Sequence, residues 1–538
     1  MKYSPSTPVN NEYDLFPYNS LTDMFCDTVN RYSQNVAYTT GEHSITYQQL
    51  DEYSTLFASY LQNELGVEKG VRVALMCPNS ITFVVAMWGI IRSGAIQVNV
   101  NPMYSVFELE HQLNDADVDT IVVIDAALPT IAKVGQGINI KNIVISNSAD
   151  FSFNEKNDDD CAPVNASNVT SFGHALALGR SGKYTEPTMV GSDILFLQYT
   201  GGTTGLSKGA MLTHHNILAN ISQYEEVAEG RIEHGKERVI TAIPMYHIFA
   251  LTVNTLAYFK FGASNLLIPN PRDLNGLIAG WIKFNPTFFT GVNTLFNALV
   301  HSETFQQVDF SALKLSIGGG APVQQVVGEK WYKATNVVLM EGYGLSETSP
   351  ILTVNFSSAN DHKPGIGLPL SHTIISLRDE NDNEVKTGDV GELCAKGPQV
   401  MLGYWNNKQA SVECMTADGY FKTGDLAKMD AEGNYHIVDR KKDMVLVSGF
   451  NVYPAEIEAC VVSLTGVLEC ACFGTPDEAT GEKVNLYIVK SAEDLTVDEV
   501  KLFCREKLSA YKLPKNIVFV DSLPKSTVGK ILKRELIN

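Results

Sequence analysis

Tyr199-Thr-Gly-Gly-Thr-Thr-Gly-Leu-Ser-Lys-Gly209 is the stretch on which the reading of this chain turns. The apolar run from Ile194 to Tyr199 before it predicts a buried strand, and Met211 to Val227 after it predicts a helix. Strand, glycine-rich loop and helix together can wrap backbone N–H groups around a phosphate. Glycines let the backbone approach closely, threonine hydroxyls add hydrogen bonds, and Lys208 supplies a positive charge. The competing reading is a plain polar hairpin loop, which has no need of a lysine among so many hydroxyls. The pattern is not G-x-x-x-x-G-K-[ST], because Lys208 precedes Gly209 and no Ser or Thr follows it, and it is not G-x-G-x-x-G. A different nucleotide-binding architecture is expected.

At 538 residues the chain is too long for one core, so two to four domains are expected. Its 44% hydrophobic and 19% charged residues are those of an ordinary globular protein. A formal net charge of −19 argues against non-specific nucleic-acid binding and against purely electrostatic docking on anionic lipid. Met1 to Pro8 lacks the apolar core of a signal peptide. Ile81 to Ile91 is too short to span a bilayer, which takes about 20 residues, and Arg92 ends it, so a buried helix is expected. Nine cysteines stand without metal-type pairs, and Cys470-Ala-Cys472 reads as strand core. Reduced thiols and a cytoplasmic compartment follow.

Residues 20 to 126 alternate helical and strand patterns, the mark of an α/β domain. Leu50 to Leu65 is amphipathic, and Val71 to Met76 and Thr120 to Asp125 read as strands. Residues 147 to 171, with the run Asp158 to Asp160, read as an exposed connection. Ile375 to His436 suggests a small β subdomain of short strands and Gly-Asp or Gly-Asn turns. Beyond Asp439-Arg-Lys-Lys-Asp443 a compact α+β domain is expected: a loop from Ser448 to Pro454, a helix from Ala455 to Val462, two strands and a helix from Val497 to Leu508. The fold class is therefore α/β, with a large N-terminal domain (1–439) of two α/β subdomains and a small β subdomain. A small, mobile α+β domain (440–538) follows.

Other motifs carry chemistry. In Glu341-Gly-Tyr-Gly-Leu-Ser-Glu-Thr348, Tyr343 between Gly342 and Gly344 can offer its face to a flat base, and Glu347 can bind a hard cation beside phosphates. The glycines of Leu315-Ser-Ile-Gly-Gly-Gly-Ala-Pro322 can let the backbone lie flat on a planar ligand. Asp425 is of a type that accepts from two ribose hydroxyls. Pro524-Lys-Ser-Thr-Val-Gly-Lys530 is a second lysine-bearing loop that could deliver a charge into a distant site. Each also has a structural reading: packing for Tyr343, a helix-end charge for Glu347, a β-turn for Asp425 and a solvated tail for Lys530.

Taken in order, Y-T-G-G-T-T-G-L-S-K-G, E-G-Y-G-L-S-E-T, Y-F-K-T-G-D-L, V-D-R-K-K-D-M-V-L-V-S-G-F-N-V-Y-P and P-K-S-T-V-G-K-I resemble the adenylate-forming enzymes. That superfamily holds acyl-CoA synthetases, peptide-synthetase adenylation domains and luciferase. The resemblance runs from about residue 20 to the end. Pro244 to Phe249, Thr290 to Phe296, Gly397 to Trp405 and Asp439 to Pro454 look most like bacterial long-chain fatty-acid–CoA ligases.

The resemblance implies that ATP and a long-chain fatty acid give acyl-adenylate and pyrophosphate, and that CoA then gives acyl-CoA and AMP. It implies catalytic roles for Lys530, Glu347, Thr200 and Lys208, with Mg²⁺ held by Glu347 and Thr200. Nucleotide binding falls to Thr200, Gly201, Gly202, Thr203, Thr204, Gly205 and Lys208, to Gly319, Gly320 and Ala321, to Glu341, Gly342, Tyr343 and Gly344, and to Asp425 and Arg440. His247, Phe249, Val292 and Asn293 match the acyl pocket. Lys442 matches the hinge of the mobile domain, and Ser448, Gly449 and Phe450 the loop that helps form the CoA tunnel. Ser207 departs from the pattern, since many members have Pro there, and a looser loop is expected. Two alternatives stay open: loading of a carrier-protein pantetheine, and a catalytically dead nucleotide sensor. The implied partners are fatty acid, ATP and CoA, not nucleic acid. Peripheral contact with the inner face of the membrane and a homodimer are both compatible with the sequence.

Overall fold

The computed structural model describes residues 15–134, 138, 140–147, 166–200, 206–356, 365–478, 480–526 and 529–537. It has a large N-terminal domain of mixed α/β architecture and a small C-terminal one.

A seven-stranded sheet runs in the order Asn168–Ser171, Asn142–Ser146, Thr120–Ile124, Arg72–Met76, Ile96–Asn99, Ile194–Thr200, Lys208–Thr213. All neighbours are parallel except the last pair. Runs such as Val73–Met76 and Ile121–Val123 are apolar throughout because both faces of a parallel sheet are covered. The helix Ile81–Ser93 is buried along its whole length, as its composition predicts. It stops at Gly94, whose left-handed backbone (φ 82°) lets its N–H reach the Ile90 and Ile91 carbonyls.

The segment from Met211 to Val227 is not one helix. Lys208–Thr213 is a strand antiparallel to Ile194–Thr200, and only His214–Val227 is helical. Thr213 starts that helix with a capping box, its hydroxyl accepting from Asn216 N–H while Asn216 Oδ1 accepts from Thr213 N–H. A second partner supports the strand: Met211 N–H donates to Gly403 O, Leu402 N–H to Met211 O and Trp405 N–H to Gly209 O. The glycine-rich stretch thus bridges two antiparallel strands, and not a strand and a helix. Its residues 201 to 205 lie outside the described part of the structure.

A nine-stranded sheet has the parallel strands Phe288–Gly291, Leu315–Gly318 and Leu339–Gly344 at adjacent positions. Ile374–Arg378, Gly391–Lys396, Phe421–Met429 and Tyr435–Arg440 form a separate four-stranded antiparallel sheet with its own small core. The C-terminal residues form a five-stranded sheet packed with the helices Pro454–Val462 and Val497–Lys507 around a core that includes Val452, Ile457, Leu486 and Val500. Cys470 and Cys472 are buried in its strand Val467–Asp477, and the described cysteines are all free.

Two loop expectations need correction. Of 147 to 171, residues 148 to 165 lie outside the described part, and Asn168–Ser171 is an edge strand, because its extended backbone pairs with Asn142–Ser146. Ser448 to Pro454 is largely a hairpin, since Val445–Val447 pairs with Phe450–Val452. Ser448 (φ 52°) and Gly449 (φ 82°) form its two-residue turn, and two positive φ values match the twist of the flanking strands. Among the described residues, no helix is long and apolar enough to cross a membrane.

Candidate active site

At one end of the site, Tyr404 and Glu347 meet. The Tyr404 hydroxyl donates to Glu347 Oε1 at 2.9 Å, and Thr200 also hydrogen-bonds this carboxylate. Lys208 Nζ lies 5.2 Å from the centre of the Tyr404 ring, over its face. Glu347 is only 7% exposed, and no lysine or arginine of the described residues forms an ion pair with it. Burial raises its carboxyl above the usual range, which a bound cation would reverse. Tyr404 was not singled out from sequence. Its place depends on the pairing of 402–405 with 209–211, which no local pattern reveals. Ser207 is held from outside the loop, its carbonyl 2.7 Å from His111 Nε2, which donates.

A second group lies where the four-stranded sheet faces the C-terminal domain. Asp425 and Arg440 are cross-strand partners, with Arg440 Nε 3.1 Å from Asp425 Oδ1. The Tyr343 hydroxyl donates to Asp425 Oδ2 at 2.7 Å. Asp425 is therefore a strand residue, 4% exposed and held from two sides, and not a turn aspartate. Lys530 comes from the C-terminal domain into the same neighbourhood. The surrounding protein, then the Arg440 guanidinium, push its ammonium down to about 8. The Lys530 side chain is nonetheless exposed to solvent.

A third group is built from backbone. A Cβ on Gly319 would lie 3.1 Å from Gly342 O and 3.2 Å from Phe249 Cε1. Gly320 (φ +75°) faces Val292, whose Cγ1 would be 3.7 Å from an added Cβ. Gly319 thus brings its backbone close to Gly342 and Phe249, and Val292 is the nearest neighbour of Gly320. The loop containing Ala321 is pinned at its far end: Val323 N–H donates to Glu341 Oε1 and Gln324 N–H to Asn293 Oδ1. Burial pushes Glu341 up to about 7. His247 has an enclosed Nε2 without a hydrogen-bond partner among the described residues, and burial lowers it to about 4, so the ring is neutral at physiological pH.

Gly344 has a packing reason of its own. An added Cβ would sit 1.8 Å from Pro350 O, at the irregular pairing of Leu339–Gly344 with Ile351–Val354. Gly344→Ala is expected to destabilise the protein by about 1–3 kcal/mol through overpacking. A thermal midpoint equal to wild type would refute this.

Thr200, Lys208 and Glu347 thus come together, as do Asp425, Arg440, Tyr343 and Lys530, and Gly319, Gly320, Phe249, Val292 and Asn293. Gly201, Gly202, Thr203, Thr204 and Gly205 lie outside the described residues. Lys442 is exposed in the turn between Tyr435–Arg440 and Val445–Val447. Ser448, Gly449 and Phe450 are exposed on the hairpin, where Phe450 stacks on Tyr511 at 4.8 Å.

Residues 25–405 match the AMP-binding enzyme family, residues 456–530 match the AMP-binding enzyme C-terminal domain, and the chain belongs to this family. It is 48% identical over 529 residues to the long-chain-fatty-acid–CoA ligase of Escherichia coli O6:H1, covering 96% of this chain and 94% of that one. The Bacillus subtilis (strain 168) protein of the same name is 34% identical, covering 97% and 94%. Among solved structures, the anthranilate CoA ligase AuaEII in complex with anthranoyl-AMP superposes with a TM-score of 0.85 at 25% identity, covering 96% of each chain. ATP-bound MatB from Rhodopseudomonas palustris gives 0.83 at 27% identity, covering 96% and 98%.

Proposed function

We propose that this chain is an AMP-forming long-chain fatty-acid–CoA ligase. The observation that carries the reading is the meeting of Lys530, from the C-terminal domain, with Asp425 and Arg440 of the larger domain. A carboxylate oxygen of the fatty acid attacks the α-phosphorus of ATP, and the bond to pyrophosphate breaks. The CoA sulfur then attacks the acyl carbonyl, loses its proton and expels AMP. The first step gathers negative charge around phosphorus, so positioning and charge neutralisation dominate. Lys530 takes the carboxylate and α-phosphate oxygens, Thr200 and Lys208 the pyrophosphate oxygens, Asp425 and Arg440 the ribose. The slot at Gly319, Gly320 and Tyr343 takes the base, and His247, Phe249, Val292 and Asn293 wall the acyl chain.

Glu347 and Thr200 would hold Mg²⁺. One buried carboxylate and a hydroxyl suit an ion that keeps waters and phosphate oxygens as its other ligands. When bound, it would neutralise phosphate charge.

The mobile unit, expected from residue 440, begins just after it: the strand Tyr435–Arg440 closes the four-stranded sheet and keeps Arg440 with the larger domain, while Val445–Val447 belongs to the next sheet. Rotation about Lys442 would carry the hairpin at Ser448, Gly449 and Phe450 towards the site for the CoA step. Long acyl chains partition into bilayers, so substrate is collected in peripheral contact with the membrane.

Pyrophosphate release with palmitate, with and without CoA, tests the reading. Turnover with palmitate is expected to need CoA, and to exceed that with acetate by orders of magnitude, because each buried methylene contributes about 0.8 kcal/mol. Equal kcat/KM for acetate and palmitate, or dependence on a carrier-protein pantetheine in place of CoA, would overturn it.

The lowered Lys530 ammonium gives a pH dependence. It is charged below about 8 and loses its charge as pH rises through that value. The kcat/KM for ATP in adenylate formation should therefore fall on the alkaline side, since this parameter reports the free enzyme. Lys530→Arg, which stays charged, should move that limb to higher pH.

A further inference from the structure

The loop that carries Lys530 is closed on itself. Ser526 N–H donates to Lys530 O at 2.7 Å, Gly529 N–H to Ser526 O at 2.9 Å and Lys530 N–H to Ser526 Oγ at 3.1 Å. Lys525 pairs with Ile531 as a β-bridge, and Leu532 N–H donates to Pro524 O at 2.8 Å. Outside the loop, Lys525 Nζ is anchored 2.7 Å from Glu469 of the same domain. A loop tied this way moves with its domain as one piece, so the position of Lys530 depends on what the loop rests against.

It rests on the start of the helix Asn293–Val300. Gly529 has φ +73°, and an added Cβ there would lie 2.4 Å from Thr294 Oγ1 and 3.5 Å from Val292 Cγ2. A side chain on Gly529 would run into the Thr294 hydroxyl, so the Thr294 side chain and the Gly529 backbone are in direct contact. Thr294 itself is half-buried. Of its neighbours, Val292 lies between Gly320 and Gly529, and Asn293 faces the Gln324 N–H that holds the slot loop.

We propose that Thr294 is a positioning residue, the seat on the larger domain against which Gly529 docks, and that this contact fixes Lys530 for adenylate formation. The proposal rests on the assignment of Lys530 to that step. Val292 and Asn293 wall the acyl chain and the adenine slot in the same reading, so one helix start registers both substrates against the docked loop. Thr294 is not needed once the C-terminal domain has rotated for the CoA step.

The test compares Thr294→Leu, Thr294→Ser and Lys530→Ala in the two half-reactions, using full-length enzyme. ATP–pyrophosphate exchange with palmitate reads adenylate formation, and CoA consumption with chemically supplied palmitoyl-adenylate reads the second step. Leucine adds bulk where Gly529 lies. A displacement of about 1 Å at a reacting group costs about 10²-fold, so Thr294→Leu should lose about 100-fold in exchange. It should keep its CoA step within about twofold. Thr294→Ser keeps the oxygen and removes only a methyl, and should retain exchange within about threefold. The retained CoA step shows that the variant is folded. Normal exchange in Thr294→Leu, with Lys530→Ala inactive, overturns the seat. Equal loss of both half-reactions in Thr294→Leu also overturns it and makes the residue part of the general fold or acyl wall. If Lys530→Ala leaves exchange intact, the assignment of the lysine fails and the seat fails with it.

Discussion

Lys530→Ala should abolish adenylate formation and spare thioester formation. Lys530 stands within electrostatic reach of Arg440, and Arg440 is already engaged by Asp425. No second lysine is carried on that loop's docked face to take over, because Lys525 is paired with Glu469. In the proposed role, the lysine's contact with carboxylate and phosphate oxygens strengthens as charge develops in the transition state. Loss of one such donor costs about 10²–10³ in rate. CoA attack on supplied acyl-adenylate should stay near normal, since on the proposed mechanism that step uses the rotated domain. The pyrophosphate-exchange rate and the thioester rate, measured on one preparation, decide the matter. An equal fall in both would show that Lys530 serves the fold and not one half-reaction.

Lys442→Pro should divide the half-reactions the other way. The turn after the strand Tyr435–Arg440 is held by Lys441 N–H on Gly424 O and by Asp443 N–H on Arg440 O. Proline at 442 removes neither bond, so the docked arrangement should survive. It does fix φ near −65°, and a hinge has to change its dihedrals when the domain rotates. Adenylate formation and pyrophosphate exchange should persist, while thioester formation should fall by at least tenfold. An exposed lysine in a passive linker would tolerate proline at little cost. Wild-type thioester rates in Lys442→Pro would therefore end the hinge assignment.

Part of the site could be read without the fold. Glu347, Asp425, Lys208 and Lys530 stand in glycine-bearing motifs, and a charged residue among glycines is a local, chemical signal. Tyr343 was expected to offer its ring to a base. The structure adds that its hydroxyl is tied to Asp425, which fixes the ring's orientation. Tyr404 and Thr294 carry no such signal. Each matters only through a partner far along the chain: Tyr404 through Glu347, Thr294 through Gly529.

The chain's composition and pattern alone determined the α/β class, the fully buried helix Ile81–Ser93, the short strands of the subdomain around Phe421–Met429 and the compact C-terminal unit. These follow from hydrophobic period and turn residues, which act over a few positions. The tertiary structure decided what lies beyond that range. Lys208–Thr213 is a strand because Ile194–Thr200 on one side and Leu402 to Trp405 on the other satisfy its backbone groups, and a helix there would leave both partners unpaired. The hairpin at Ser448 and Gly449, the grip of Asn293 on the loop after Gly320 and the contact of Gly529 with Thr294 were settled in the same way. Their geometry belongs to pairs of segments, and a sequence pattern records only one segment at a time.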